Sequence, residues 1–133
     1  SAALIAADQA AVLTIICWSM TVHLVKEAVK QLATEGIAAD ILDLRSLKPV
    51  DSEAIRLAAA KTHRLLIVQE GTPVASYGSW LSHHIQEIAF DELDAPVMVV
   101  SSDDVPMPYA FSLEPAVLPN PSRIIDAAKQ LIL

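Results

Sequence analysis

The chain has 133 residues, one cysteine and a net charge of -7. This length suits one ordinary domain over residues 1–133, which buries roughly two thirds of the surface that its unfolded form exposes. A single cysteine excludes an internal disulfide framework and fits a reducing compartment, while the acidic balance argues against nucleic acid and anionic lipid as partners and favours a basic protein domain.

Two hydrophobic periods alternate along the chain. Residues 12–17 are a solid apolar run rich in β-branched side chains, which predicts a strand covered on both faces. From Val22 the apolar positions recur at helical spacing, and Gly36 closes this segment as a helix C-cap. The same alternation predicts further strands at 38–44, 64–69 and 97–101 and further helices at about 52–61, 79–90 and 121–132.

Repeated β-α units predict the fold class. Four of them in one chain indicate a three-layer α/β/α domain with a mainly parallel sheet and helices on both faces. Residues 3–7 can add a short edge strand. Asp51 or Ser52 can cap the second helix, and Asn120 before Pro121 supplies a cap and a first-turn proline for the last.

The stretch from Gln9 to Val25 lacks charged residues but contains Thr14, Ser19, Thr21 and His23 and changes period in its middle. It is too short and too polar to cross a bilayer. No basic region precedes it, so we expect no signal peptide, no membrane partner and no secretion.

The carboxyl ends of the strands are where such a sheet binds ligands. The first turn there, residues 17–21, has no glycine. The chain has three glycines in all, Gly36, Gly71 and Gly78, so neither a dinucleotide-binding fingerprint nor a phosphate-binding P-loop can form.

Cys17 is placed where a nucleophile can sit, and His23 follows six residues later. A small apolar residue at a strand end is the favoured interpretation, because cysteine is commonly buried. Glu70 lies at the end of the predicted strand 64–69. We favour a loop-orienting hydrogen bond over catalysis for Glu70, because no acid or base companion for it can be identified in the sequence.

Four other side chains have a structural interpretation beside a functional one. His83 and His84 point about 100° apart on a helix, which does not suit a shared metal, whereas His83 and Glu87 can form an ordinary helix-face pair. Trp18 and Trp80 can serve either as core residues or as interface anchors.

Four stretches, taken together, resemble a known family. They are 43–51 (DLRSLKPVD), 61–71 (KTHRLLIVQEG), 93–110 (LDAPVMVVSSDDVPMPYA) and 118–121 (LPNP). In this order and spacing they resemble the C-terminal domain of the β subunit of the E1 component of 2-oxo acid dehydrogenase complexes, over about residues 12–133. The resemblance implies a fold of the transketolase C-terminal type, in which the first of five strands is an antiparallel edge strand.

The resemblance also implies a function for a larger protein. In the family, an α2β2 enzyme decarboxylates a 2-oxo acid, with pyruvate favoured here, and acylates the lipoyl group of E2. Its thiamine diphosphate and magnesium are held outside the part that this chain resembles, so the chain alone is expected to be inactive and free of cofactor. The expected compartment is the bacterial cytoplasm or the mitochondrial matrix.

The expected partners are the E1 α subunit, a second β subunit and the peripheral subunit-binding domain of E2. The resemblance places E2 docking on Asp94 and, if Leu133 is the natural end of the protein, on its terminal carboxylate. The proline-rich loop that carries Met107, Tyr109 and Phe111 suits a subunit interface, and a homodimer is expected for the chain alone.

Residues 69–78 depart from the family, in which a Trp-Pro pair and a glycine-rich turn are common here. Pyruvate, branched-chain 2-oxo acids and acetoin therefore all remain possible substrates of the parent enzyme. Two alternatives stay open: the C-terminal domain of another transketolase-like enzyme, and an independent α/β enzyme that uses Cys17.

Overall fold

The computed structural model describes residues 1–70, 77–101 and 120–133. A short 3₁₀ turn, Phe90–Glu92, follows the third helix. The strands and helices in chain order are β1 (Ala3–Ile5), β2 (Leu13–Cys17), α1 (Thr21–Thr34), β3 (Ala39–Asp43), α2 (Ser52–Thr62), β4 (Leu65–Val68), α3 (Tyr77–Ala89), β5 (Met98–Val100) and α4 (Pro121–Leu131).

The five strands of the described residues form one sheet in the order β1-β3-β2-β4-β5. β1 runs antiparallel to β3, and the other neighbouring strands are parallel. This confirms the predicted α/β fold with its antiparallel edge strand. The predicted edge strand, 3–7, is shorter in the structure because the amide of Ala7 donates to Oδ1 of Asp40 at 2.8 Å.

The sheet is covered on both faces, as the solid apolar strands predict. Helices α1 and α4 pack on one face, and α2 and α3 pack on the other. Neighbouring side chains of β2 point to opposite faces, so Ile15 belongs to the first core and Ile16 to the second. Both cores contain fully buried side chains, among them Leu13, Leu32, Ile124, Leu42, Ile55 and Leu81.

The helix ends follow the predicted capping residues. Gly36 has φ +80° after α1, and the amides of Gly36 and Ile37 donate to carbonyls of the last helical turn at 3.1 and 3.0 Å. Oδ1 of Asp51 accepts from the amide of Ala54 at 3.0 Å, which settles the cap of α2. Asn120 accepts from the amide of Arg123 at 2.9 Å and caps α4.

The end of α2 has no glycine. His63 ends this helix with φ +62°, in the left-handed region that favours glycine. Its ring Nδ1 lies 2.8 Å from the carbonyl oxygen of Glu92, and its own carbonyl accepts from the amide of Asp94 at 2.8 Å. The left-handed residue thereby connects α2 to the segment that follows α3.

Among the helices described, none is both long enough and apolar enough to span a lipid bilayer.

Candidate functional site

The carboxyl ends of β2 and β3 meet at one edge of the sheet, where Cys17 and Asp43 are in register. Gln69 follows β4 at the same edge. Residues 71–76, which follow β4 in the sequence, and residues 102–119, which follow β5, lie outside the described part of the chain. Met107, Tyr109 and Phe111 fall in the second of these ranges, so their expected interface role stays a prediction.

Cys17 does not have the surroundings of a nucleophile. Its side chain is fully buried, and its Sγ lies 3.9 Å from the carbonyl oxygen of Leu42. Burial, with a smaller contribution from the negative charge of Asp43, raises the pKa of the Cys17 thiol to about 12. His23 is exposed on α1. A nucleophilic cysteine needs a lowered pKa and access to solvent, so the structure supports the small-apolar interpretation of Cys17.

Each of the two adjacent histidines contacts another side chain. Nε2 of His83 lies 3.6 Å from Oε1 of Glu87, which is the expected helix-face pair. Nε2 of His84 lies 3.0 Å from Oγ of Ser52, and its ring stacks on Trp80 with the ring centres 4.8 Å apart. In the part of the chain that the structure describes, no three His, Cys, Asp or Glu side chains come together as metal ligands.

Trp18 and Trp80 belong to one aromatic cluster that Tyr77 joins. The Tyr77 ring packs edge-on against Trp18 at 5.5 Å and lies 5.2 Å from Trp80. The Tyr77 hydroxyl donates to the carbonyl oxygen of Leu47 at 2.8 Å. Trp18 packs against the second core, whereas 47% of Trp80 is exposed. The sequence left the role of both tryptophans open and did not indicate Tyr77, whose contacts with Trp18 and Leu47 join distant segments.

A buried amide fixes the start of α3. Gln69 is 1% exposed, and its Oε1 accepts from the amide of Gly78 at 2.8 Å. A Cβ at Gly78 would lie 2.4 Å from this oxygen, so a larger residue there would displace the Gln69 side chain. Glu70 follows Gln69 and is half-buried. Its predicted loop-orienting role concerns a loop outside the described residues and stays a prediction.

Asp94 lies on the surface between the 3₁₀ turn and β5. Its side chain is 56% exposed, and its Oδ2 lies 3.9 Å from Nη1 of Arg64. The backbone at Asp94 is fixed by the bond from its amide to the carbonyl of His63. Leu133 is fully exposed beyond α4. Asp94 is thus an exposed acid on a hydrogen-bonded backbone.

Comparison with protein families gives one match over most of the chain. The family described as "Transketolase, C-terminal domain" matches residues 3–124.

Curated relatives of high similarity are subunits of one enzyme. The chain is 46% identical over 120 residues to "Pyruvate dehydrogenase E1 component subunit beta" of Porphyra purpurea, covering 90% of this chain and 36% of that protein. It is 43% identical over 118 residues to the mitochondrial subunit of the same name in Caenorhabditis elegans, covering 88% of this chain and 34% of that protein. The chain therefore spans about a third of the length of the curated relatives that it matches.

Solved structures share the fold at lower identity. A chain described as "Split gene transketolase, inactive beta4 tetramer" superposes with a TM-score of 0.77 at 24% identity, covering 99% of this chain and 41% of that chain. A 2-oxoglutarate:ferredoxin oxidoreductase from Magnetococcus marinus superposes with a TM-score of 0.67 at 19% identity, covering 100% of this chain and 20% of that chain. Both likenesses concern the fold alone.

Proposed function

The chain belongs to the transketolase C-terminal domain family, and from this we propose that it is the C-terminal domain of an E1 β subunit of a 2-oxo acid dehydrogenase. Its role there is assembly of the enzyme and docking of E2. The observation that carries the proposal is the identity of 46% to a pyruvate dehydrogenase β subunit over 90% of this chain. By contrast, the transketolase structure is 24% identical, which supports the fold alone.

We infer that the parent enzyme is an α2β2 assembly that decarboxylates a 2-oxo acid and acylates the lipoyl group of E2. Pyruvate is favoured as its substrate, because the relatives at 46% and 43% identity carry pyruvate dehydrogenase in their names. Thiamine diphosphate supplies the carbanion chemistry of such a reaction when bound. The described residues offer no group of three metal ligands, and the proposed role of this domain involves no cofactor chemistry. We expect the 133-residue chain by itself to have no turnover.

The structure argues against the alternative of an independent enzyme that uses Cys17. A thiol with a pKa of about 12 is neutral at physiological pH. The full burial of the side chain also keeps a substrate away from the sulfur atom.

We assign docking to E2 to Asp94 and, if Leu133 is the natural end of the protein, to its terminal carboxylate. Within the part of the chain that the structure describes, Asp94 has one ion-pair contact, at 3.9 Å, which is too long for a direct hydrogen bond. An arginine or lysine of a partner can therefore form a shorter, charge-assisted bond with this carboxylate. The net charge of -7 attracts a basic domain over longer distances and speeds its association.

The test is calorimetric titration of the chain with the peripheral subunit-binding domain of the same organism's E2, at low and at high salt. We expect salt-sensitive binding that Asp94→Ala weakens by about tenfold or more. Asp8→Ala removes the same charge from another exposed site and is expected to change the affinity less than about twofold. A chain with one added residue after Leu133 tests the terminal carboxylate.

Equal effects of Asp94→Ala and Asp8→Ala would show that only net charge matters and would contradict the assigned site. The oligomeric state, measured by sedimentation in the same samples, tests the expected dimer separately. A dimeric chain that binds no subunit-binding domain would contradict the docking role but leave the family assignment intact.

A further inference from the structure

A groove runs between α2 and α3 on the outer surface of the second helix layer. Residues 53, 56, 57 and 60 of α2 form one wall, and residues 87–92 form the other. The groove encloses about 320 Å³. We refer to it as the α2–α3 groove, and Asp94 is not among its residues.

The α2–α3 groove contains two unusually exposed apolar side chains. Phe90 is 71% exposed and Leu57 is 62% exposed. Among the described residues, these are the highest values for large apolar side chains apart from terminal Leu133. Neither side chain belongs to the two hydrophobic cores. Single exposed apolar residues are ordinary, but two that line the same groove indicate an interaction surface.

The charges around these side chains have mainly one sign. The groove is lined by the carboxylates Glu53, Glu87, Asp91 and Glu92 and by one basic residue, Arg56. Arg56 already pairs with Glu53 at 3.2 Å. The remaining three acids carry negative charge at an exposed apolar surface. A second copy of this chain, with its own net charge of -7, is repelled from such a rim.

We propose that the α2–α3 groove binds a basic amphipathic helix of a partner protein. The apolar stripe of that helix packs on Leu57 and Phe90, and its lysine or arginine side chains pair with the acidic rim. The wall on α2 runs from residue 53 to residue 60, so about two turns of a partner helix match its length. This surface goes beyond the proposed docking at Asp94 and does not depend on it.

The first experiment uses the ¹⁵N-labelled 133-residue chain and a synthetic helical peptide of leucine and lysine, about three to four turns long, with the leucines on one face. Two comparison peptides replace either all lysines by glutamate or all leucines by alanine. We expect chemical-shift changes confined to residues 53–60 and 87–92 and about tenfold weaker binding of either comparison peptide. Shifts scattered over the molecule, or equal binding of the glutamate peptide, would overturn the proposal.

Variants separate the groove from general attraction. Phe90→Ala and Leu57→Ala are each expected to weaken binding of the leucine–lysine peptide by about tenfold. Met20→Ala changes a site that is 55% exposed at the start of α1, and we expect it to leave this binding unchanged. Both groove residues are exposed, so their variants keep the fold, which circular dichroism verifies. Equal weakening by Met20→Ala would overturn the proposal.

Charge variants complete the test. Asp91→Asn with Glu92→Gln removes two charges from the rim, and Glu27→Gln with Asp126→Asn removes two exposed charges from the opposite helix layer. We expect only the first pair of substitutions to weaken binding of the peptide, by about tenfold at low salt. Equal weakening by both pairs would show a response to net charge alone and overturn the proposal. Self-association of the chain that Phe90→Ala abolishes would also overturn it, because a second copy would then occupy the groove.

Discussion

Replacement of Gly78 by alanine tests how α3 is attached to the sheet. Gln69 is 1% exposed, and its Oε1 accepts a hydrogen bond of 2.8 Å from the amide of Gly78. A methyl group at position 78 would lie 2.4 Å from Oε1 and 2.7 Å from Cδ of Gln69. Both distances are far below van der Waals contact, so the Gln69 side chain has to move.

Two opposing effects determine the expected stability of Gly78→Ala. Alanine in a helix is favoured over glycine by about 1 kcal/mol. The displaced Gln69 loses a hydrogen bond worth about 1 kcal/mol, and buried polar atoms without partners cost about 1 to 3 kcal/mol more. We therefore expect Gly78→Ala to lower the free energy of unfolding by about 1 to 3 kcal/mol.

The assay is urea unfolding at 25 °C of the wild type, Gly78→Ala, Gln69→Ala and the double variant. Both single changes remove the same hydrogen bond, and truncation of Gln69 makes room for the new methyl group. The double variant should thus lose less stability than the two single losses added together, by about 1 kcal/mol. An increase in stability for Gly78→Ala, or losses that add within about 0.5 kcal/mol, would refute this reasoning.

Three further predictions concern the thiol, a helix cap and a buried acid. Burial raises the pKa of the Cys17 thiol to about 12 from an unfolded value of 9.0. The stability that the neutral, buried thiol contributes is therefore complete below pH 9.0 and is lost as the pH rises above 9.0. Cys17→Ala should abolish this part of the fall in the free energy of unfolding, measured between pH 8 and about 10.5. Asn120→Ala should cost about 1 kcal/mol of stability in thermal unfolding, because the bond to the Arg123 amide at 2.9 Å is lost, whereas Asn120→Ser should retain most of it. Lys61→Met should cost about 1 to 3 kcal/mol in urea unfolding, since it removes the ammonium 2.6 Å from the buried carboxylate of Asp40; Asp40→Asn in the same chain should restore part of that loss, and no recovery would contradict the ion-pair explanation.

Local patterns account for the part of the fold that the sequence predicts. Periodicity and capping act between residues within a few positions of one another, so the strands, the helices and the caps at Gly36, Asp51 and Asn120 follow from sequence. The antiparallel direction of β1 followed from the family resemblance, because a short edge strand has no local pattern that fixes its direction.

The features that were not predicted depend on contacts between distant segments. His63 has a left-handed backbone conformation, which the sequence does not indicate because the residue is not glycine. The contact between its ring and the carbonyl oxygen of Glu92 joins residues 29 positions apart. The α2–α3 groove likewise combines residues 53–60 with residues 87–92. The helical pattern of α2 predicts which side chains face inward, but it does not tell whether an outward Leu57 lies alone or beside Phe90.

The candidate site shows a similar division between local chemistry and resemblance. Local reasoning predicts that Cys17 is a small buried residue, because cysteine is commonly buried. The structure confirms this burial. Asp94 has no local signal that separates it from an ordinary surface acid. Its selection came from the resemblance, and the structure adds that it is exposed on a hydrogen-bonded backbone.

The pairing of the acids separates those that stabilise the fold from those available to a partner. Asp40 is buried, accepts a hydrogen bond from one amide and forms an ion pair with the Lys61 ammonium. Asp51 accepts from two amides, which lowers its pKa. An acid that is already satisfied gains little from a new cation, whereas an exposed acid with long contacts gains a short bond. Asp94 and the rim around Phe90 are of the second kind. Substitution at Asp94 or Asp91 should therefore change affinity at nearly constant stability, whereas substitution at Asp40 should change stability first.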